Sequence, residues 1–593
     1  MGRSMIVNLG IQQFDTLMEE QKFYIDKTGL IIEWLEYGSA VTLITRPRRF
    51  GKTLNMSMLE CFFSKRYAGR GDLFEGLSIW EEKSSEGAYK YRHLQGAFPV
   101  IFMSFAPIKT GNIEAMKTGI KQIITNLYSG YREIMASEIF QDEDRRYFES
   151  VRDDMDDKTA IISINRLCSY LERYYDEKVI VLLDEYDTPI QEAWMAGTWD
   201  ETMDFFRNFF NHTFKTNSHL YRGMITGITR VSRESIFSDL NNLEVATITS
   251  DKYATAFGFT EEEVFRALDD AGLGSEKQKV KAWYDGFIFG SYSDIYNPWS
   301  IASFISNKGK YSAYWVNTSS NGLVNTLVQK GDAEIKKAME DLLCGNSIVA
   351  EIDEQIAFDQ LEEDPNAVWS LLLTTGYLKV LDTVAGACDN EAEEEDAVWY
   401  RLALTNYEVK RMFRKMIRRW FNGRTSTSYN NFLKALLLND VEEMNEYMNR
   451  IALNSFSNFD TAKSASSDDA PERFYHGFVL GLMVELSDRF EITSNRESGF
   501  GRYDIMLTPI NIPNSPNQEK DCAYIIEFKV HKPKKEKSLE ETVANALSQI
   551  DEKHYEAQLV SKGFTPDQIK KYGFAFRGKE CLIGCKEEVR CGC

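Results

Sequence analysis

The stretch AVTLITRPRRFGKTLNMSML, residues 40 to 59, constrains the chain more than any other. An apolar run, a short basic loop and an amphipathic run follow one another without a break, and the loop closes on Gly51-Lys52-Thr53. A buried strand that feeds through such a loop into a helix aims backbone N–H groups and a helix N-terminus at one point, which favours an anion there. In a phosphate loop the lysine supports the β/γ phosphates and the next hydroxyl holds magnesium. The spacing rule asks for a glycine five positions before Gly51, where this chain has Arg46. Arginine takes a left-handed turn less cheaply than glycine, and Pro47 fixes the chain locally. A tighter loop is therefore expected, with Arg46, Arg48 and Arg49 close to the phosphates.

The segment KVIVLLDEYD, residues 178 to 187, supports the nucleotide reading. Its apolar run ends in Asp184 and Glu185, so a buried strand delivers two carboxylates to the edge of a sheet where ligands bind. Asp184 is placed to hold magnesium or its bound water, and Glu185 to orient or deprotonate the attacking water. Asp187 is the next candidate for that base. FPVIFMSF (98 to 105) and YRGMITGIT (221 to 229) read as further strands, with helical periodicity between them. This alternation predicts a parallel sheet covered on both faces. The last strand ends at Thr226, Thr229 and Arg230, with Arg233 one turn on. These residues either read and stabilise phosphate charge or serve as caps and ion pairs; the sequence leaves both open.

At 593 residues the chain exceeds one ordinary core, and it divides into residues 1 to 270, a mostly helical 271 to 460, a Ser/Asp-rich linker at 461 to 472, and 473 to 593. NEAEEED (390 to 396) reads as a solvated loop, and KRMFRKMIRRW (410 to 420) as a basic amphipathic helix, a solvated face over a core stripe ahead of a nucleic-acid contact. The formal charge of −21 repels nucleic acid over most of the surface, so any such contact must be local or helped by bound cations. Nine cysteines show neither a disulfide framework nor zinc spacing, and Cys581, Cys585, Cys591 and Cys593 are expected as reduced thiols on a loose tail. No apolar stretch approaches a membrane span or a signal peptide, so a soluble cytoplasmic protein is expected.

After the linker the order becomes helix, three strands, helix, strand. In YIIEFKV, Glu527 and Lys529 lie two apart and share one face of a strand whose other face is apolar. Asp504, on the preceding strand in GRYDIML, comes beside Glu527 if those strands pair. Two such carboxylates can hold Mg²⁺ or Mn²⁺, and a lysine alongside can offset developing phosphate charge. Glu472, with His476 one turn later, is preferred over Glu485 to complete the metal shell.

The first half resembles the AAA-ATPase-like proteins that carry a C-terminal nuclease domain of the PD-(D/E)XK superfamily. The resemblance rests on FYIDKTGLI (23 to 31), RPRRFGKTLNMSML (46 to 59), LLDEYDTPI (182 to 190), MITGITRVSRESIFSDLNNLE (224 to 244), FGFTEEEV (257 to 264), WYDGFIFG (283 to 290) and IYNPWSI (295 to 301). The RPRRFGKT form is that family's own. SNRESGFGRYDI and IIEFKV extend the likeness to the far end, where Gln549 sits at a position such domains often keep polar and Tyr555 follows in the same pattern.

The resulting expectation is an α/β multidomain enzyme: a P-loop NTPase parallel sheet, a helical middle and a restriction-endonuclease-like domain. It binds and hydrolyses ATP and cuts nucleic acid with Mg²⁺ or Mn²⁺. Nucleotide contacts are expected from Arg46, Arg49, Gly51, Lys52, Thr53, Asp184 and Arg230, with Glu185, Asp504, Glu527 and Lys529 catalytic. Metal ligands are expected at Thr53, Asp184, Asp504, Glu527 and Glu472. The expected partner is nucleic acid, DNA ahead of RNA, without a membrane; a homo-oligomer is compatible. The rival is a nucleotide-switched regulatory or nucleic-acid-binding protein whose nuclease fold is inactive.

Overall fold

Five apolar runs of the N-terminal half form one parallel sheet: Val41–Thr45 (β1), Val100–Ser104 (β2), Val179–Asp184 (β3), Leu220–Gly227 (β4) and Leu243–Ala246 (β5). Their order is β2-β3-β4-β1-β5. β1 and β3 are buried over their whole length, as strands covered by helices on both faces must be. Four of the five match the sequence expectation. β5 escaped it because LEVA is short and carries Glu244. The helix Lys52–Phe63 follows β1 directly across the loop. Since β4 lies between β1 and β3, its C-terminal end reaches both the loop and the Asp184 carboxylate.

The structure is a computed structural model that describes residues 7, 9–229, 240–315, 333–353, 367–384, 399–413, 429–455, 479–480, 483, 486, 490–494, 497–498, 501–510, 522–533 and 535–586. The chain divides into two compact units, one of Met1–Val324 with Val349–Lys410, the other of Asn325–Ile348 with Arg411–Cys593. The middle is mainly helical, with Glu261–Asp270, Lys277–Tyr284, Pro298–Ser306 and Ala367–Thr374 among its helices. Two small sheets accompany them. One comprises Phe259–Thr260 (β6), Asp285–Phe289 (β7) and Tyr292–Tyr296 (β8). The other comprises Ile348–Glu351 (β9), Leu378–Val384 (β10) and Trp399–Leu404 (β11). NEAEEED, most of KRMFRKMIRRW and the linker lie outside the described residues.

In the second unit Phe490–Ser494 (β12), Glu497–Ser498 (β13), Gly501–Arg502 (β14), Ile505–Pro509 (β15), Ala523–Val530 (β16), Ile569–Arg577 (β17) and Glu580–Cys585 (β18) appear in chain order. β13 and β14 close the Gly-rich turn, and the others form a sheet in the order β12-β15-β16-β17-β18. β16 and β17 are parallel, so the chain must cross over, and it does so through the helix Leu539–Glu552. β16 alternates strictly. Tyr524, Ile526 and Phe528 face a cluster that includes Phe432, Leu436, Met444 and Met448, while Ala523 and Ile525 face Ile550, Tyr555 and Leu559.

The helix Val441–Ser455 also serves this sheet. Asn445 and Asn449, one turn apart, each exchange a pair of hydrogen bonds with the main chain of β18, at Ile583 and Cys581, over 2.7–2.9 Å. The outer edge of β18 is thereby satisfied and blocked to further strand addition. Cys581 is thus buried in a strand and Cys585 half-buried, a correction to the expected loose tail; Cys591 and Cys593 lie outside the described residues.

Candidate nucleotide and metal sites

The loop after β1 avoids the need for an early glycine. Arg46 donates its N–H to the Gly227 carbonyl at 3.1 Å and so prolongs the β1–β4 pairing. The left-handed turns fall later, at Arg49 (φ 66°) and Gly51 (φ 80°), and Gly51 caps the helix that Lys52 opens. Lys52 is buried and donates to the carbonyls of Arg46 (2.9 Å) and Pro47 (3.0 Å). Burial lowers its pKa, and Glu185, Asp184 and Asp187 oppose that. Asp184 is wholly buried and takes a hydroxyl on each oxygen, Thr226 Oγ1 at 2.6 Å and Thr53 Oγ1 at 2.7 Å. Burial raises its pKa against those two bonds.

Glu185 follows with φ 51°, a conformation that costs a non-glycine residue of order 1–3 kcal/mol and is concentrated at functional sites. Its carboxylate is half-buried and accepts from Thr188 Oγ1 at 3.2 Å. Asp187 has a different task. It accepts the N–H groups of Ile228 and Thr229, the Thr229 hydroxyl and the Gln191 amide, each at 2.9 Å, and so locks the end of β4 to the turn after β3.

At the other site the register does the assembly. β15 and β16 pair with Ile505 opposite Ile526, which sets Asp504 opposite Glu527. Asp504 Oδ2 accepts the Phe528 N–H at 2.7 Å, fixing the side chain against β16. Glu527 is 2% exposed, and Lys529 Nζ lies 3.5 Å from its Oε1. Gln549, on the crossover helix, donates to the same Oε1 and, at 3.0 Å, to the Tyr555 hydroxyl. Burial raises the Tyr555 pKa, the bond from Gln549 opposes that, and Glu527 and Asp504 push it up further. The two carboxylates offer hard oxygen donors on neighbouring strands, which suits Mg²⁺ or Mn²⁺.

Comparison with known proteins places a family on each of these two regions. Residues 8–237 match the family described as "Predicted AAA-ATPase", and residues 470–586 match the PD-(D/E)XK nuclease superfamily. The chain joins an AAA-ATPase-like domain to a PD-(D/E)XK nuclease superfamily domain. It is also 26% identical over 404 residues to a protein of Azotobacter chroococcum mcd 1 described as an uncharacterized protein in the vnfD 5′ region, covering 68% of each chain.

Within the AAA-ATPase-like domain, Arg46 is placed differently from the expectation. Its guanidinium is buried and donates to the carbonyls of Thr45, Ala246, Thr247, Lys252 and Tyr253, while stacking 4.7 Å from the Phe289 ring. A buried cation is costly unless its donors are met. Here they tie the loop to the segment leaving β5, and what Lys52 meets is the main-chain carbonyl of Arg46. Arg49 is exposed and lies 4.4 Å from the Trp299 ring. The stretch IYNPWSI, residues 295 to 301, grips the loop. Asn297 caps the helix Pro298–Ser306 and donates to the Arg48 carbonyl at 3.3 Å, as does Trp315 Nε1 at 3.0 Å. Nothing in the spacing of Asn297 and Trp315 along the chain points at residue 48.

Arg230, Arg233, Glu472, His476 and Glu485 lie outside the described residues. A third acidic group, Glu261, Asp285 and Asp294, surrounds Lys281, whose Nζ is 3.0 Å from Asp294 and paired also with Glu261. That lysine already supplies a cation. Among the described residues no helix is long and apolar enough to cross a membrane.

Proposed function

We propose that this chain is an ATP-dependent, metal-dependent nuclease acting in the cytoplasm. In the AAA-ATPase-like domain, Lys52 exchanges its carbonyl partners for β/γ phosphate oxygens, and Thr53 with Asp184 holds the magnesium ion. Glu185 takes the proton of the water that attacks the γ-phosphorus. Arg49 is exposed beside the loop and contributes to the phosphates. In the nuclease domain, Asp504 and Glu527 would hold Mg²⁺ or Mn²⁺ for cleavage of a nucleic-acid phosphodiester, DNA ahead of RNA, and Lys529 would steady the charge that develops there. The ion supplies a water of lowered pKa and Lewis-acid stabilisation of the phosphoryl oxygens. Nucleotide state gates the cut.

The observation that carries the nuclease half is the register that sets Asp504 opposite Glu527 with Lys529 on the same face. Plasmid DNA and RNA cleavage in Mg²⁺ or Mn²⁺, with and without ATP, tests the whole reading. Lys52→Ala should remove the dependence on ATP, and Glu527→Ala should remove cleavage. A wild-type chain that binds Mn²⁺ and ATP but cuts neither polymer under any nucleotide condition would falsify it.

A further inference from the structure

Immediately after the Glu527 and Lys529 strand the chain reads KVHKPKKEK, residues 529 to 537, five lysines and one glutamate in a chain of net charge −21. His531 continues the β16–β17 pairing by donating its N–H to Phe576 O at 2.8 Å. The N–H groups of Lys535 and Glu536 then both bond Lys532 O, at 2.8 and 3.0 Å, and close a turn.

The single glutamate of the run points inward. Glu536 is 12% exposed. It accepts the Lys532 N–H, Thr542 Oγ1 and the Asn545 amide, each at 2.9 Å, and faces His531 Nδ1 at 3.6 Å. Its charge therefore fixes the turn and leaves the outer face to the lysines. Lys532, Lys535 and Lys537 are exposed there, and among the described residues no carboxylate lies within 4.0 Å of their ammonium groups. Other lysines of the same domain are paired: Lys562 with Glu491, and Lys571 and Lys586 with Asp551. Glu540 and Glu541, exposed at the start of the next helix, end the basic stretch.

A run of lysines on a loose chain is ordinarily a solvated face. This one is held in a turn by a partly buried carboxylate and starts three residues, about 10 Å of strand, from Lys529. That distance matches the rise of about three base pairs of duplex DNA. We propose that Lys532, Lys535 and Lys537 form a backbone rail that neutralises phosphates of duplex DNA on one side of the bond held at Glu527 and Lys529. This rests on the nuclease reading. The acidic remainder of the chain repels the duplex, so the rail also decides where it docks.

The test is binding of a fluorescent 20-base-pair DNA duplex to the full chain across a range of KCl, with Ca²⁺ in place of Mg²⁺. Mn²⁺ affinity is measured separately by calorimetry. Each lost phosphate contact removes about 0.9 from the slope of log affinity against log salt. The variant Lys532→Ser/Lys535→Ser/Lys537→Ser should flatten the slope by about 2–3 and leave Mn²⁺ affinity unchanged. The remote control Lys308→Ser/Lys310→Ser should leave both unchanged. An unaltered slope in the triple variant, an equal fall in the control, or a loss confined to single-stranded RNA of the same length would overturn the rail and leave the nuclease reading standing. A wild type that binds Mn²⁺ but no duplex overturns the rail and the nuclease reading together.

Discussion

Asp184 and Glu527 are both buried carboxylates beside a lysine, yet the chain holds them by different means. Asp184 sits at a strand end and is fixed by two hydroxyls, one from the loop helix and one from β4. Its lysine is turned to main-chain carbonyls of the loop. Glu527 lies inside a strand, receives an amide from the crossover helix, and has Lys529 two residues along the same strand. In the first arrangement acid and lysine are held by different partners, hydroxyls for the one and main-chain carbonyls for the other. In the second they lie on one face of one strand, 3.5 Å apart. Under the proposed function the first would take a nucleotide with its magnesium, and the second a metal ion with a phosphodiester.

The largest effect should come from Glu185, the proposed base of the first site. Glu185→Gln keeps the shape of the side chain and should retain ATP while lowering turnover by about 10²–10⁴-fold, read by phosphate release. Retained turnover would transfer the role to another group. At the second site, Asp504→Ala and Glu527→Ala should each lower cleavage by at least about 10²-fold and weaken Mn²⁺ binding, whereas Lys529→Ala should lose cleavage and keep the metal. Equal Mn²⁺ affinity in all three variants would break the comparison at its centre.

Gln549→Ala removes the amide that braces Glu527 and should cost about 10–100-fold in metal affinity or cleavage, the usual penalty for a ligand-orienting neighbour. ATP turnover of the same variant at saturating nucleotide reports whether the first site is disturbed. Thr226→Val takes one hydroxyl from Asp184 and should cost about 1–3 kcal/mol in urea unfolding of the first domain. A neutral result would mean that Asp184 does not depend on its hydroxyls.

The smallest effect concerns the acid group around Lys281, where a lysine rather than hydroxyls does the neutralising. Asp285 is pushed up to about 7, first by burial and then by Asp294. The folded chain thus keeps a proton that the unfolded chain loses near ~3.9. Stability from this group is full below that value and declines as pH rises to about 7, the direction required when the native state binds more protons. Asp285→Asn should flatten the decline, a difference of about 1 kcal/mol after allowance for solvent screening. An identical pH profile in the variant would remove Asp285 from consideration.

The residues of the first site are contiguous words in the sequence. Gly51-Lys52-Thr53 and Asp184-Glu185 each follow an apolar run, because a strand buried on both faces must be apolar and its reactive groups must gather at its end. Lys52, Thr53 and Asp184 were legible for that reason, and so were four strands of the sheet. The pairing of Glu527 with Lys529 was legible too, from the two-residue period of a strand. Tertiary structure alone decided the rest. The Arg46 guanidinium found its carbonyls some 200 residues away, at 246 to 253, and no local pattern marks a main-chain oxygen as an acceptor. Asn297 and Trp315 reach the carbonyl of residue 48 for the same reason. The opposition of Asp504 and Glu527 came from strand register, where a slip of one residue would have turned Asp504 to the other face. Spacing along the chain fixes which side chains share a face, and only packing fixes which faces meet.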